Sequence, residues 1–353
     1  VVPLAEFPYS KLNSIIEKNI EKYNELINKL KSVSLEKIGL ERYLLFGNNK
    51  YAKFCAIDGS KNVENLGDAY LIVAKAVKVI GEVRGDRVVV PREPIIDVAI
   101  EDDYNGEDTV RHDSIKLMLK LESELIDDEC EVLFLDGPII DPPIIANDVG
   151  KQNIPSLTEL AEMRARKIYD ILKKGRVVIG IAKRFSERFL VSRLVEKGIL
   201  DSLDYREGMV VNLLLEHGAI GWMDWEEMGK ISLPEVRGLY NAYGLYKSVA
   251  DLKLKISSLY VRVSSISPPV RVDVAYVNER PKVDEVLGVI SPWVVEGKAE
   301  LTLLTLLADT FSSVSADEVS KYKRFYESEL FSKLSKDIRD KMLISNLILS
   351  KRV

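Results

Sequence analysis

The chain has 353 residues, 46% hydrophobic and 30% charged, so it is long enough for two or three domains around a large core and too apolar to stay disordered. Fifty basic against 55 acidic residues give a net charge of −5, so contact with a nucleic acid has to come from a local basic lining, because the overall field repels phosphate. Two cysteines, Cys55 and Cys130, and two histidines, His112 and His217, are too few for a disulfide framework or a structural zinc site; no apolar run reaches the roughly 18 residues of a bilayer span. The first residues lack a basic stretch leading into an apolar one, and the reading is of a cytoplasmic protein. A single glutamine, Gln152, among many Lys, Arg and Glu is a mixture associated with hot environments.

In chain order, apolar positions at three- and four-residue spacing predict an amphipathic helix over residues 12–30. Residues 51–57 read as a buried strand that stops at Asp58-Gly59-Ser60, and two more strands follow over 69–80 and 87–91, the start of an antiparallel meander. Residues 113–126 read as a helix and 131–135 as an apolar strand ending at Asp136-Gly137-Pro138. Ser156-Leu157-Thr158-Glu159 is a capping box that opens a basic helix to residue 174. A strand over 176–182 and a helix near 187–197 complete the series. Residues 205–262 carry no assignable pattern; beyond them 270–277 reads as a strand, 300–311 as an apolar helix, and the capping box Ser315-Ala316-Asp317-Glu318 opens a helix toward residue 338. The expected organisation is a helical extension over 1–48, a central domain over 49–311 and a helical region over 312–353.

The order β-β-β-α-β-α-β-α makes a mixed sheet with helices packed on it. A crossover from the first strand through the first internal helix puts the fourth strand parallel to the first and beside it. Asp58 and Asp136 then become neighbours, each at a strand end and each followed by a glycine that lets the chain turn. Like charges that close repel unless a cation lies between them, and an all-oxygen ligand set favours Mg²⁺ or Mn²⁺. A third carboxylate is expected from the intervening helix. Glu122 and Glu124 lie roughly 200° apart around that helix, and Glu122, within the apolar face, is the one chosen. Lys183 follows the strand over 176–182, where its ammonium can steady a phosphate. His112 and His217 have no partner at metal-ligand spacing; neither a Gly-x-Ser-x-Gly elbow nor a Gly-rich phosphate loop is present.

At these residues the chain resembles the NurA nuclease family of archaea and bacteria. The resemblance rests on Ala56-Ile57-Asp58-Gly59-Ser60, the helical Glu before Leu133-Phe134-Leu135-Asp136-Gly137-Pro138, then Val178-Ile179-Gly180-Ile181-Ala182-Lys183, and later Val270-Arg271-Val272-Asp273-Val274. It implies a ribonuclease-H-like α/β core and a Mn²⁺-dependent (or Mg²⁺-dependent) DNA nuclease acting from 5′ ends and on single strands. It further implies a homodimer and a partner, the hexameric HerA ATPase, in end resection at double-strand breaks. By the same resemblance Asp58, Glu122 and Asp136 match the family's metal ligands, and Asp273 stands where the family carries a Glu. The family's late Tyr-Pro and the polar residue that follows it fall on Ser291-Pro292-Trp293 and Gly297-Lys298-Ala299, which hold neither Tyr nor His.

The expected site is therefore Asp58, Glu122 and Asp136 as catalytic metal ligands, Asp273 as a further ligand and Lys183 on the scissile phosphate. Arg164, Arg166, Lys183 and Arg184 are the expected DNA contacts. Two other classes fit parts of the same pattern: a weakened or inactive adaptor of a translocase complex, and an ATPase on a ribonuclease-H-like fold, which would need a Gly-rich phosphate hairpin after Asp58.

Overall fold

The computed structural model describes residues 9–66, 69–103, 105–139, 154–183, 188–228 and 254–333. In chain order these form α1 (Tyr9–Leu30), β1 (Glu41–Tyr43), β2 (Lys53–Asn65), β3 (Tyr70–Arg84), β4 (Arg87–Val89), β5 (Ile95–Asp103), α2 (Glu107–Leu125), β6 (Val132–Asp136) and α3 (Leu157–Lys173). There follow β7 (Val177–Ala182), α4 (Phe189–Glu196), α5 (Glu207–Leu214), β8 (Gly218–Asp224), α6 (Trp225–Met228), β9 (Lys255–Arg262) and β10 (Val270–Tyr276). The described chain closes with α7 (Val283–Ile290), α8 (Leu303–Ser312) and α9 (Ala316–Lys333).

The strands make one mixed sheet in the order β1-β8-β9-β10-β7-β6-β2-β3-β4, with β5 also on β3. β2 lies centrally, antiparallel to β3 and parallel to β6, which is in turn parallel to β7. That is the expected ribonuclease-H-like arrangement. Both faces of the central strands are covered, which is why they read as continuous apolar runs. Cys55, Ile57, Leu133 and Leu135 face α3, α4, α5 and the end of α1; Phe54, Ala56 and Phe134 face α7, α8 and the buried Trp293, whose ring lies 5.5 Å from that of Phe54.

Three elements differ from the sequence expectation. β2 does not stop at Asp58 but continues to Asn65, because β3 offers it an antiparallel partner over its whole length while the parallel pairing with β6 ends at Ile57. Residues 95–103, unassigned from sequence, form β5 on β3. Glu41–Tyr43 pairs with β8, so a strand of the sheet lies before the expected boundary at 48/49. The capping box at Ser156 is present with both of its hydrogen bonds, and Ser315 Oγ accepts from the Glu318 amide at 3.1 Å. Among the described residues no helix is long and apolar enough to cross a membrane.

The two cysteines, too few for a framework, do pair. Cys55 of β2 and Cys130, just before β6, form a buried disulfide at a sequence separation of 75. It ties the central strand to its parallel neighbour and closes a loop that contains β3, β4, β5 and α2. Loop-closure entropy for that length is worth about 4 kcal/mol. Cys130→Ser, or reduction of the wild type, is therefore expected to lower Tm by about 5 °C, measured by calorimetry with and without reductant; an unchanged Tm would contradict the pairing.

Candidate active site

The sheet brings Asp58 and Asp136 together as the crossover requires. Both side chains lie on the α8 side of the sheet, since Ala56 and Phe134, two residues earlier in each strand, face the cluster around Trp293. Carboxylate oxygens of Asp58, Asp136 and Asp309 all lie within 4.8 Å of one another. Asp309 comes from α8 and was not among the sequence candidates. After β6 the chain leaves the cluster through Gly137, at φ +119°, whose amide donates to the Ile181 carbonyl at 2.8 Å; a side chain would strain that turn.

Around the carboxylates the hydrogen bonds are specific. Ser312 Oγ donates to Asp58 Oδ2 at 2.7 Å. Ser60 Oγ in turn donates to the Ser312 carbonyl and accepts from the Val314 amide, each at 2.8 Å, so the end of α8 is stitched to β2. Lys183, at the end of β7, donates to Asp136 Oδ2 at 2.7 Å, Asp309 Oδ1 at 3.1 Å and Glu300 Oε1 at 3.4 Å. Asp136 is 3% exposed at its side chain, and among the described residues its Oδ1 has no hydrogen-bond partner.

Burial pushes the Asp58 carboxyl up to about 6, with Ser312 and Lys183 opposing and Asp309 adding to the rise. Burial and the neighbouring Asp58 charge push Asp136 up to about 7, against the pull of Lys183. For Lys183 burial alone would lower the ammonium, but Asp136 and Asp309 outweigh it and hold it above its ordinary value.

Among the described residues three carboxylates against one ammonium leave two negative charges, with Glu300 adding a further one at the edge. An orphaned buried carboxylate oxygen, hard oxygen donors and residual charge of that sign fit a divalent cation of the Mg²⁺ or Mn²⁺ type.

The other expected ligands are not part of this cluster. Glu122 does turn inward while Glu124 is exposed, but its carboxylate packs over Gly59, where a Cβ would come within 2.6 Å of Oε1. There it accepts from Arg164 Nη1 at 3.2 Å, on the α2 side of the sheet rather than the α8 side. Asp273 lies on the same far side. Val272 and Val274 face the Trp293 cluster, so strand alternation sends Asp273 the other way, where it is fully buried and accepts from Arg271 Nε at 2.8 Å and Ser258 Oγ at 2.5 Å. It neutralises a buried arginine that stacks near Phe189 and Trp225.

Of the expected DNA contacts, Arg164 is 2% exposed and committed to Glu122, so it cannot meet a strand. Arg166 is exposed on α3, Lys183 sits among the carboxylates, and Arg184 lies outside the described residues. His112 and His217 are both exposed and in no ligand cluster among the described residues.

A NurA domain model matches residues 52–309, most of the chain. The chain belongs to the NurA family. The matched stretch runs from the start of β2 to Asp309, the span that contains all three clustered carboxylates. The crystal structure of the NurA nuclease from Sulfolobus solfataricus is similar to this one with a TM-score of 0.63 at 19% identity, covering 94% of this chain and 99% of that one. A NurA structure bound to dAMP and manganese matches with a TM-score of 0.56 at 12% identity, over 96% and 99% of the two chains. A third, with manganese, gives 0.54 at 12% identity over 91% and 99%. At these identities the likeness is one of fold. No curated protein matches the chain in sequence.

The raised carboxyls have a consequence for stability. A group whose pKa in the fold exceeds its value in the unfolded chain binds its proton first in the fold, so its contribution is present at low pH and is lost as pH rises. Metal-free protein is thus expected to lose stability between about pH 4 and pH 7 through Asp58 and Asp136. At pH 8, Asp136→Asn is expected to raise the metal-free Tm and to abolish the rise that Mn²⁺ gives the wild type. Asp273→Ala removes the carboxylate that Arg271 Nε donates to in the core, at a cost of about 3–5 kcal/mol, and is expected to lower Tm while keeping the Mn²⁺-induced rise. A lower Tm for Asp136→Asn, or a lost Mn²⁺ response for Asp273→Ala, would contradict this division of roles.

Proposed function

We propose that this chain is a Mn²⁺- or Mg²⁺-dependent DNA nuclease that trims broken ends. In this reading it acts from 5′ ends and on single strands, in the cytoplasm, as a homodimer working with a hexameric HerA-type ATPase in double-strand-break resection. The observation that carries the nuclease reading is the closure of Asp58, Asp136 and Asp309 around one point, with Asp136 keeping a buried oxygen that has no hydrogen-bond partner among the described residues. A NurA determined with dAMP and manganese supports the choice of substrate and metal.

Asp58, Asp136 and Asp309 are the residues that would hold the cation; when bound it supplies charge for the phosphate oxygens and acidifies a water for in-line attack. Asp58 and Asp136 are screened from solvent, which strengthens their field at that point. Asp309 has a side chain 48% exposed, so a strand reaches the carboxylates from the α8 side. Among the described residues Lys183 is the positive charge at this point, held by two of the carboxylates, and is positioned to offset charge on the scissile phosphate. Glu122 acts at one remove, holding Arg164 against the Pro138 carbonyl at 3.5 Å and so fixing the turn after Asp136. Ser291-Pro292-Trp293 forms a 3-10 turn whose tryptophan is core; Glu300 and Asp309 supply polar groups near the site in place of the family's late Tyr and His.

The homodimer reading is supported by α1. Leu26 and Leu30 bury its C-terminal end, while Leu12, Ile15, Ile16, Ile20 and Tyr23 are 42–58% exposed along one broad face, an apolar stripe that a second copy would cover. Light scattering at micromolar concentration is expected to give the mass of two chains; one chain would count against it.

Asp58→Ala, Asp136→Ala and Asp309→Asn are each expected to reduce Mn²⁺-dependent cleavage of single-stranded DNA by at least 10²-fold, and Lys183→Gln by about 10²-fold, in single-turnover assays. Adding the ATPase partner is expected to raise the wild-type rate, since held substrate spends more time in reach of the carboxylates. Normal cleavage by any of the three Asp variants would refute the metal-centre reading.

A further inference from the structure

Beyond the carboxylates the same end of the sheet carries a feature of opposite charge. β2 continues past Asp58 to Asn65, with β3 on one side and, among the described residues, no partner strand on the other beyond Ile57. Along this extension strand alternation turns Lys61 to the α2 side, as it does Gly59, which packs under Glu122. There Lys61 and Asn65 of β2, Tyr70 of β3, and Glu107, Arg111 and Ser114 of α2 line a cavity of about 430 Å³.

Its charge is unbalanced. Lys61 is half-buried, and among the described residues neither it nor Arg111 forms an ion pair. Burial lowers the Lys61 ammonium, and the charge of Arg111 lowers it further. Glu107, exposed at the first turn of α2, is the one carboxylate among the described residues of the lining. Two cations on one cavity repel as two carboxylates do, and an anion between them relieves the repulsion. Ser114 does not compete for that anion through its proton, since its hydroxyl donates to the Arg111 carbonyl at 2.7 Å.

We propose that Lys61 and Arg111 bind a backbone phosphate of the same DNA strand whose scissile phosphate lies at Asp58, Asp136 and Asp309; the assignment of DNA rests on the nuclease reading above. Lys61 is three residues along β2 from Asp58, roughly 10 Å at the rise of a strand, which is about three nucleotides of a stacked strand. Because Asp58 and Lys61 face opposite sides of the sheet, the strand crosses the edge of β2 between them. Tyr70 on the same lining gives a nucleotide a ring to stack on, which together with the two cations is the combination by which single strands are held without regard to sequence. A small free anion would need only the two cations.

The test is binding of a labelled single-stranded oligonucleotide in EDTA, by fluorescence anisotropy over a range of salt. Lys61→Gln and Arg111→Gln are each expected to weaken it about fivefold and to flatten the log K against log salt slope by about 0.7. Lys197→Gln, an exposed lysine after α4, is expected to leave both unchanged. Equal affinity and slope in the Lys61 and Arg111 variants, or an equal loss in Lys197→Gln, would overturn the proposal. So would inorganic phosphate, at matched ionic strength, erasing the difference between wild type and variants, which would make this a site for a small anion. Cleavage in Mn²⁺ is scored separately: wild-type binding without cleavage would count against the nuclease reading and leave the EDTA series to decide the subsite.

Discussion

The structure depends on one electrostatic constraint: three carboxylates held near a single point, two of them buried, with the Lys183 ammonium offsetting them among the described residues. Such a cluster is costly in a metal-free fold, and the surrounding elements are arranged to hold it in place. Parallel pairing of β2 with β6 sets Asp58 beside Asp136. β7 delivers Lys183 alongside. The serines at 60 and 312 fasten α8, and with it Asp309, to the central strand. The disulfide between Cys55 and Cys130 reinforces the same pair of strands a few residues before each aspartate.

Much of this was legible in the sequence, for identifiable reasons. The two Asp-Gly strand ends and the β-α-β order between them were enough to make Asp58 and Asp136 neighbours, because a crossover to a parallel strand leaves few alternatives. Helical geometry turned Glu122 rather than Glu124 inward, although not into the aspartate cluster that the choice of ligand expected. Its partner was not foreseen, although Arg164 falls in step with Leu157, Leu160, Ala161, Ile168 and Ile171 on the buried face of α3, a spacing that marks it as an interior charge needing a counterion. Asp273 could have been excluded the same way, since Val272 and Val274 fix its side of the sheet.

Asp309 was not legible. Its helix, Leu303–Ser312, reads as an ordinary apolar segment, and its contact with Lys183 spans 126 residues of sequence. The one local signal was an acid set directly beside the buried Ala308 in an otherwise uncharged helix. The continuation of β2 was hidden for a different reason: Asp-Gly-Ser is a common strand exit, and only the long antiparallel run with β3 overrides it. That continuation also separates the acidic point on one face from the cations on the other. A chain of net charge −5 can then offer a phosphate backbone a local attraction.

The most direct measurement is anomalous scattering from crystals grown with Mn²⁺. The account predicts a manganese peak in coordination distance of Asp58, Asp136 and Asp309, with the formerly unpartnered Asp136 oxygen among its ligands. A peak ligated instead by Glu122 or Asp273, or no peak near the three aspartates at saturating Mn²⁺, would contradict it.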